Sequence, residues 1–372
     1  MGYPTFFVLQ IFMFMLLKED LGIARPTIPY VNLVYNLTED MIIEFFNEHT
    51  KPTSHTIEFG PKEISKLFNR ENSEDFDDFP VQKINLKLAF KFFKGKSNET
   101  PYRVGGGAYE IEKLRKSQVS YLSDLSKQLP SYFMTQDGKA YTLKLDLEIL
   151  IDYVNISSDD LDMLLVEYQA SLLHEFNHFY EYINRHRGQR PKIDLSLTWI
   201  PEKSPKDILP KPALEMWKQF LTLIYLSEPH EVTAQISEMY AYVVKMDYDK
   251  IKSLPVWKNS EKLKSFNADT TFNLLNSYIS SETKFDSEYV LDVLLEYFKK
   301  NYLKQTKSNE LEPSNKIMGV KTIKELMTLM EKRFKDSGEK IQRGIARLYV
   351  LKRDLEHDST QSDVEDIFYK KK

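Results

Sequence analysis

The sequence of 372 residues contains no cysteine. Disulfide bonds and thiolate metal sites are therefore excluded, and a metal ion held by side chains would need histidine, aspartate or glutamate ligands. The sequence also has no excess of one charge, since 51 Lys and Arg residues stand against 55 Asp and Glu residues, for a formal net charge of −4. Nucleic-acid binding usually shows as a basic excess, so this balance predicts no nucleic-acid partner.

A long apolar run is also missing. The run FFVLQIFMFMLL, residues 6–17, is too short to span a bilayer as a helix. It lacks the basic start and the small-residue cleavage site of a signal peptide, because the first basic residue, Lys18, follows the run. We therefore interpret it as a buried helix or strand rather than a signal segment or membrane anchor, and the sequence indicates no clear membrane association.

The composition, with 42% hydrophobic and 28% charged residues, is typical of a soluble globular protein. The length allows two or three domains. Changes in pattern along the chain predict four segments. They are a small α/β or helical N-terminal segment at residues 1–79, a central domain at 80–245, a helical region at 246–355, and a polar, flexible tail at 356–372.

Two segments of the central domain alternate between apolar and polar residues. The segments are INLKLAFKFF, residues 84–93, and YTLKLDLEILIDY, residues 141–153. A period of two over this length predicts half-buried β-strands. Between them lies a run of three glycines at 105–107, which permits a turn or a bulge and is not followed by the Gly-Lys-Ser/Thr of a phosphate-binding loop.

The second strand is followed by one long predicted helix, residues 157–188. Ser157 or Ser158 provides the cap, acidic residues occupy the first turn, apolar residues recur at helical spacing, and Gly188 ends the pattern. Helical patterns also dominate from residue 213 onward, where residues 322–355 predict a helical hairpin with its turn at Asp-Ser-Gly, 336–338. The predicted fold class is therefore α+β, with a mixed β-sheet before this helix and a mainly helical C-terminal region.

The long helix contains the sequence HEFNH, from His174 to His178. Residues four apart share a helix face, so His174 and His178 can bind one Zn²⁺ through their ring nitrogens. Glu175 is rotated away from this face and can reach a zinc-bound water as a general base without binding the metal. With only seven histidines in the chain, a chance match to H-E-x-x-H is rare. The alternative is a half-buried helix with two structural histidines.

The stretch LLHEFNHFY, residues 172–180, resembles the active-site helix of the zincin metallopeptidases, and the order of sheet then helix is similar to theirs. The metzincin branch does not fit, because Glu181 stands in place of its glycine and Asn184 in place of its third histidine. The gluzincin branch takes its third zinc ligand from a glutamate on a later helix. The loosest resemblance is to uncharacterised phage-encoded H-E-x-x-H proteins with a helical C-terminal region.

A candidate for the later helix is YLSEPHEVTAQISEMYAYVVKM, residues 225–246. The resemblance implies Glu231 as the third ligand, because small Ala234 follows it at i+3 as in the E-x-x-A pattern of several gluzincin groups. Catalytic zinc sites use three protein ligands, which two histidines alone do not supply. Glu238 lies two turns further along the same face and is the second choice.

The resemblance implies a zinc-dependent metallopeptidase with one Zn²⁺ per chain, a protein or peptide substrate, and a cytoplasmic or virion-associated location rather than a secreted one. One alternative is a zincin-fold structural or virion-associated protein without significant proteolytic activity. Another is a di-iron carboxylate protein, but this needs a second E-x-x-H that the sequence lacks.

Three smaller predictions concern residues near the motif. Glu181 shares the face of His174 and is interpreted as a solvated acid rather than as support for a ligand. Tyr182, four residues after His178, is the candidate for the side chain that stabilises the transition state. Five prolines in residues 189–212 predict either a semi-rigid flap over the cleft or a plain surface connection.

Overall fold

The structure is a computed structural model that describes residues 27–48, 51–65, 81–95, 100–106, 110–113, 141–186, 208–308 and 315–361. The apolar run at residues 6–17 and all but the last five residues of the proline-rich segment lie outside this part of the chain. Within it, the fold is mixed α+β, with a sheet before the long helix and a helical C-terminal region. This confirms the predicted fold class at that level.

The chain divides into two compact units, each discontinuous in sequence. One comprises residues 1–188, 233–248 and 345–372, and the other comprises residues 189–232 and 249–344. The boundaries predicted after residues 79, 245 and 355 stay a prediction.

The first unit contains a sheet of five strands in the described part of the chain. From one edge the order is β1, β2, β5, β3, and β4 lies beyond β3 along the same edge of β5. Strand β2 pairs with β5 in parallel, and the other pairings are antiparallel, so the sheet is mixed. The strands are β1 Thr53–Phe59, β2 Val81–Phe92, β3 Tyr102–Gly106, β4 Glu110–Lys113 and β5 Tyr141–Ile151.

In β2 and β5, the residues that alternate between apolar and polar in the sequence also alternate between more buried and more exposed positions. The central apolar rows are fully or nearly fully buried, whereas Lys87 and Asp146 between them are exposed. The parallel register places Leu86 beside Leu145, so the two rows are continuous across the pair. The buried rows are Ile84, Leu86, Leu88 and Phe90 in β2, and Leu143, Leu145, Leu147 and Ile149 in β5.

Two long helices pack in this unit. Helix α1, Ile28–Glu48, contacts the sheet, where the rings of Phe45 and Phe90 have centroids 4.7 Å apart. A short helix, α2, spans Pro61–Ser65. Helix α3, Leu161–His186, follows a 3₁₀ turn at Ser158–Asp160, where the carboxylate of Asp160 accepts hydrogen bonds from the backbone N–H and hydroxyl of Ser157. The long helix predicted over 157–188 is confirmed over 161–186, and its predicted end at residues 187–188 lies outside the described part.

The remaining described elements are helical. They are α4 Lys211–Leu226, α5 Pro229–Lys245, α6 Tyr248–Ile251, α7 Pro255–Ser265, α8 Ala268–Glu282, α9 Ser287–Ser308, α10 Asn315–Gly319 and α11 Ile323–Gln361. Among the described residues, no helix combines the length and apolar character needed to cross a membrane.

The helical hairpin predicted at residues 336–338 is wrong, because α11 is a single helix of 39 residues that passes through them. A Cβ added to Gly338 would lie 2.5 Å from the carbonyl oxygen of Ser260 and 3.2 Å from the Cβ of Leu263. Glycine is therefore needed there for the close approach of α7 to α11, not for a turn. The helix extends to Gln361, so residues 356–361 of the predicted tail are helical, and residues 362–372 lie outside the described part.

Candidate metal centre

His174 and His178 lie one turn apart on α3 with their Nε2 atoms directed at each other. The two Nε2 atoms are 3.0 Å apart, and the ring planes are inclined by 81°. His178 is buried and His174 is partly buried. Two ligands on a tetrahedral zinc at about 2.0–2.1 Å would be about 3.3 Å apart, so this arrangement needs only a small adjustment to hold the ion.

Glu231, in the first turn of α5, brings a carboxylate to the same place. The ligand atoms of His174, His178 and Glu231 all lie within 4.8 Å of one another. Glu231 is 3% exposed, so its carboxylate is buried beside the two imidazole rings, where a bound cation would be favourable. Two imidazole nitrogens and one carboxylate oxygen are donors that catalytic zinc sites use.

The position of Glu231 follows from the rest of its helix. Helix α5 is continuous across residue 232, where the backbone N–H of Val232 donates to the carbonyl of Glu228 at 2.9 Å. From Thr233 onward, α5 belongs to the same compact unit as α3. The first turn of α5 is therefore held by the contacts that its later turns make with α3.

The contacts between α3 and α5 are hydrogen bonds between polar side chains. The amide of Asn177 donates to the hydroxyl of Thr233 at 3.4 Å and accepts from the hydroxyl of Ser237 at 3.4 Å. Thr233 in turn donates to the Oε1 of Glu181 at 2.5 Å, and the Oε2 of Glu181 is buried. The interpretation of Glu181 as a solvated acid is therefore wrong, because its carboxylate is drawn into this interhelical network.

Glu238 contacts the imidazole ring of His174 at Nδ1, whereas Nε2 of that ring faces His178. The Nδ1–H of His174 donates to the Oε2 of Glu238 at 2.6 Å, which leaves the lone pair on Nε2. A carboxylate on the second nitrogen of a metal-binding histidine fixes the ring and its tautomer. The two glutamates proposed as third ligands therefore occupy different positions, although the role of each stays a prediction.

Glu175 is partly buried, and its carboxylate lies against the end of strand β3. A Cβ added to Gly106 would overlap its Oε1 and would lie 3.0 Å from its Cδ. Of the glycine run, Gly105 and Gly106 are part of β3, and Gly107 lies outside the described residues. From the sequence, this run predicts only a turn or a bulge. Its contact with the motif could not be predicted, because no local pattern links residues so far apart in the chain.

A second carboxyl group of α3, Glu167, lies near Glu238. Burial raises the pKa of Glu167 to about 7, although a hydrogen bond from the backbone N–H of Val104 at 3.2 Å opposes the rise, and the charge of Glu238 adds to it. Burial also raises the pKa of Tyr102 and Tyr242, with smaller contributions from nearby carboxylates. Sequence reasoning missed Glu167, which has no motif to mark it. The side chain of Tyr182 lies outside the described part.

When the chain was compared with known proteins, no family model, no curated protein and no solved structure matched it. The resemblance to a known family therefore rests on the residues of α3 and α5 and on their order after a sheet. The chemistry of the site has to be argued from those side chains themselves.

Proposed function

We propose that this chain is a zinc-dependent metallopeptidase of gluzincin-like type, which hydrolyses peptide bonds in a protein or peptide substrate. The observation that supports this most is the convergence of His174, His178 and Glu231 within 4.8 Å, from two different helices. The H-E-x-x-H spacing alone can arise by chance, whereas a buried carboxylate completing the ligand set from a distant segment is a second, independent feature.

Each residue of the site has a distinct role in this proposal. His174 and His178 supply neutral Nε2 donors, and Glu231 supplies the anionic ligand. Glu238 accepts the Nδ1 proton of His174 at 2.6 Å and so keeps the lone pair of His174 on Nε2. A zinc ion held by these three residues would supply a Lewis acid, able to make water a better nucleophile near neutral pH and to polarise a carbonyl group.

Glu175 is the proposed general base. It is adjacent to His174 in sequence but rotated about 100° around the helix, so its carboxylate does not join the ligand set. It accepts the proton of the attacking water and delivers it to the amine that leaves, and its contact with Gly106 limits the directions in which its carboxylate can turn.

The test combines metal analysis with a proteolysis screen on the full chain. Protein purified without chelator is expected to contain about one zinc per chain, and the double variant His174→Ala/His178→Ala is expected to contain none. His55→Ala, which removes an exposed histidine of β1, is the matched control and should retain the metal. Absence of zinc from the wild-type protein, or equal zinc in the double variant, would reject the metal site.

Glu175→Gln separates catalysis from metal binding. It should retain zinc and lose peptide hydrolysis by about 10²- to 10⁴-fold, because the amide cannot take up a proton. Glu261→Gln, at an exposed position on α7, should change neither property. Zinc without hydrolysis in the wild-type protein would instead favour the alternative, a structural or virion-associated protein with the same fold. Full hydrolysis by Glu175→Gln would remove its proposed role.

A further inference from the structure

Strand β3 runs along helix α3 at the edge of the sheet. Near its middle, the backbone N–H of Val104 donates to Glu167 of α3, and two residues later Gly106 lies against Glu175. Gly106 is itself held in the sheet, where it is opposite Leu147 of β5. The backbone next to Glu175 is therefore part of the sheet rather than of a free loop.

The contact at Gly106 is specific to glycine. A Cβ at this position would overlap the Oε1 of Glu175, and it would lie 3.0 Å from Cδ and 3.5 Å from Cγ. All three of the nearest atoms therefore belong to the outer part of one side chain. The backbone of Gly106 does not lie in the left-handed region, so glycine is needed for the space and not for the conformation.

The neighbouring glycine provides a contrast within the same strand. A Cβ added to Gly105 would meet no heavy atom within 4 Å among the described residues, and its backbone is also outside the left-handed region. Both glycines lie in the same strand at the edge of the sheet, and replacement by alanine raises the β-strand propensity at either position. They differ in whether a methyl group would meet Glu175.

From this contrast we infer that Gly106 is a positioning residue for Glu175, because the bare backbone of the sheet edge is the surface against which its carboxylate is set. Any side chain at 106 displaces that carboxylate. The catalytic consequence of this inference rests on the proposed function, whereas the contact itself does not. A general base works when it lies within about 2.6–3.2 Å of the atom that carries the proton, and a misplacement of about 1 Å can cost about 100-fold in rate.

The first experiment tests the contact without metal or substrate. The melting temperatures of Gly106→Ala and Gly105→Ala are measured in chelator, in the wild-type background and in a Glu175→Ala background. In the wild-type background, Gly106→Ala should melt about 2–5 °C below Gly105→Ala, because the displaced carboxylate loses its buried position. The gap should close in the Glu175→Ala background, which lacks all three of the atoms that the methyl group would meet.

A gap that persists in the Glu175→Ala background would overturn the inference, because Gly106 would then be needed for another reason. No gap in the wild-type background would overturn it as well, because the carboxylate would not depend on the contact. The common effects of replacing glycine by alanine on the unfolded chain cancel between the two positions.

The second experiment tests the consequence for the site in zinc-loaded protein. Gly106→Ala should retain one zinc per chain, but it should bind a small zinc-directed hydroxamate at least 10-fold more weakly and hydrolyse peptides about 100-fold more slowly. Gly105→Ala should stay within about 3-fold of wild type in both measurements. Equal losses at the two positions would overturn the positioning role. If the wild-type protein binds neither zinc nor hydroxamate, the proposed function fails, and the melting experiment still decides on the contact.

Discussion

Two buried helix contacts in this protein are built from opposite kinds of side chain. Helices α3 and α5 meet through His174, Asn177 and Glu181 on one side and hydroxyl or carboxylate groups on the other. In the second unit, α4 and α11 meet through rings, with the centroids of Phe220 and Phe334 5.9 Å apart. The ring of Phe334 also lies 5.0 Å from that of Phe266, just after α7.

The aromatic contact needs no explanation beyond stability, since burying rings is favourable wherever helices meet. The polar contact is different, because burying hydrogen-bonding groups contributes little net stability and is costly wherever a partner is missing. Stability alone does not favour the two histidines, the asparagine and the three glutamates that this helix pair holds in buried or partly buried positions. The difference predicts that changes in the polar contact affect the metal more than the stability, and that changes in the aromatic contact do the reverse.

The largest expected effect is on zinc affinity, and it separates the two glutamates of α5. Loss of a residue that only supports a ligand lowers zinc affinity by roughly 10- to 100-fold. Glu231→Ala should lower it by well over this amount, because it removes a ligand. Glu238→Gln should fall within that 10- to 100-fold range and still bind one zinc at saturation, because it weakens only the support of His174. Competition titration with a chromophoric chelator measures both. If Glu238→Gln lost the metal while Glu231→Ala kept it, the ligand would lie two turns further along α5.

The next effect is on stability, and it tests the aromatic contact. Phe334 is fully buried, so Phe334→Ala should lower the free energy of unfolding by about 3–5 kcal/mol, as measured by denaturant titration. Below the unfolding transition, the variant should retain wild-type zinc stoichiometry. Phe334→Leu provides the milder control, with a smaller loss of stability. Loss of zinc from folded Phe334→Ala would erase the distinction between the two contacts.

The smallest expected effect is a pH dependence of the stability, which arises from the carboxyl group of Glu167 beside the polar contact. The pKa of Glu167 is raised by burial to about 7, so the native state binds its proton more tightly than the unfolded state between pH 4.5 and 7. The contribution of this group to stability is therefore lost as pH rises through that window. Glu167→Gln should then stabilise the metal-free protein by on the order of 2 kcal/mol more at pH 8 than at pH 5.

Urea titrations at the two pH values measure this difference. Glutamine keeps an oxygen that can accept the hydrogen bond from Val104, so the substitution changes mainly the charge. Glu261→Gln, at an exposed position, is the control for the general effect of removing a carboxylate. A stabilisation by Glu167→Gln that is equal at both pH values would show that burial does not hold the proton on Glu167.

Periodicity in the sequence was enough to predict the local elements. The alternation in β2 and β5 and the helical spacing of α3 depend on residues two to four apart, and the structure has strands and a helix there. The same local geometry places His174 and His178 on one face of the helix. The hairpin at 336–338 failed because a glycine inside a helix can serve a close approach by another helix as well as a turn, and only the approaching backbone of Ser260 distinguishes the two.

The composition of the site beyond α3 depended on how distant segments pack. Glu231 and Glu238 share one face of α5, and no local pattern could decide that the first would join the cluster with His174 and His178 and the second would bond to Nδ1 of His174. The burial of Glu181 and the contact of Gly106 with Glu175 likewise come from elements that meet only when the sheet and the two helices assemble. Helix and strand patterns are set by neighbours along the chain, whereas the partners of a buried polar side chain are set by long-range packing, and that packing requires the whole fold.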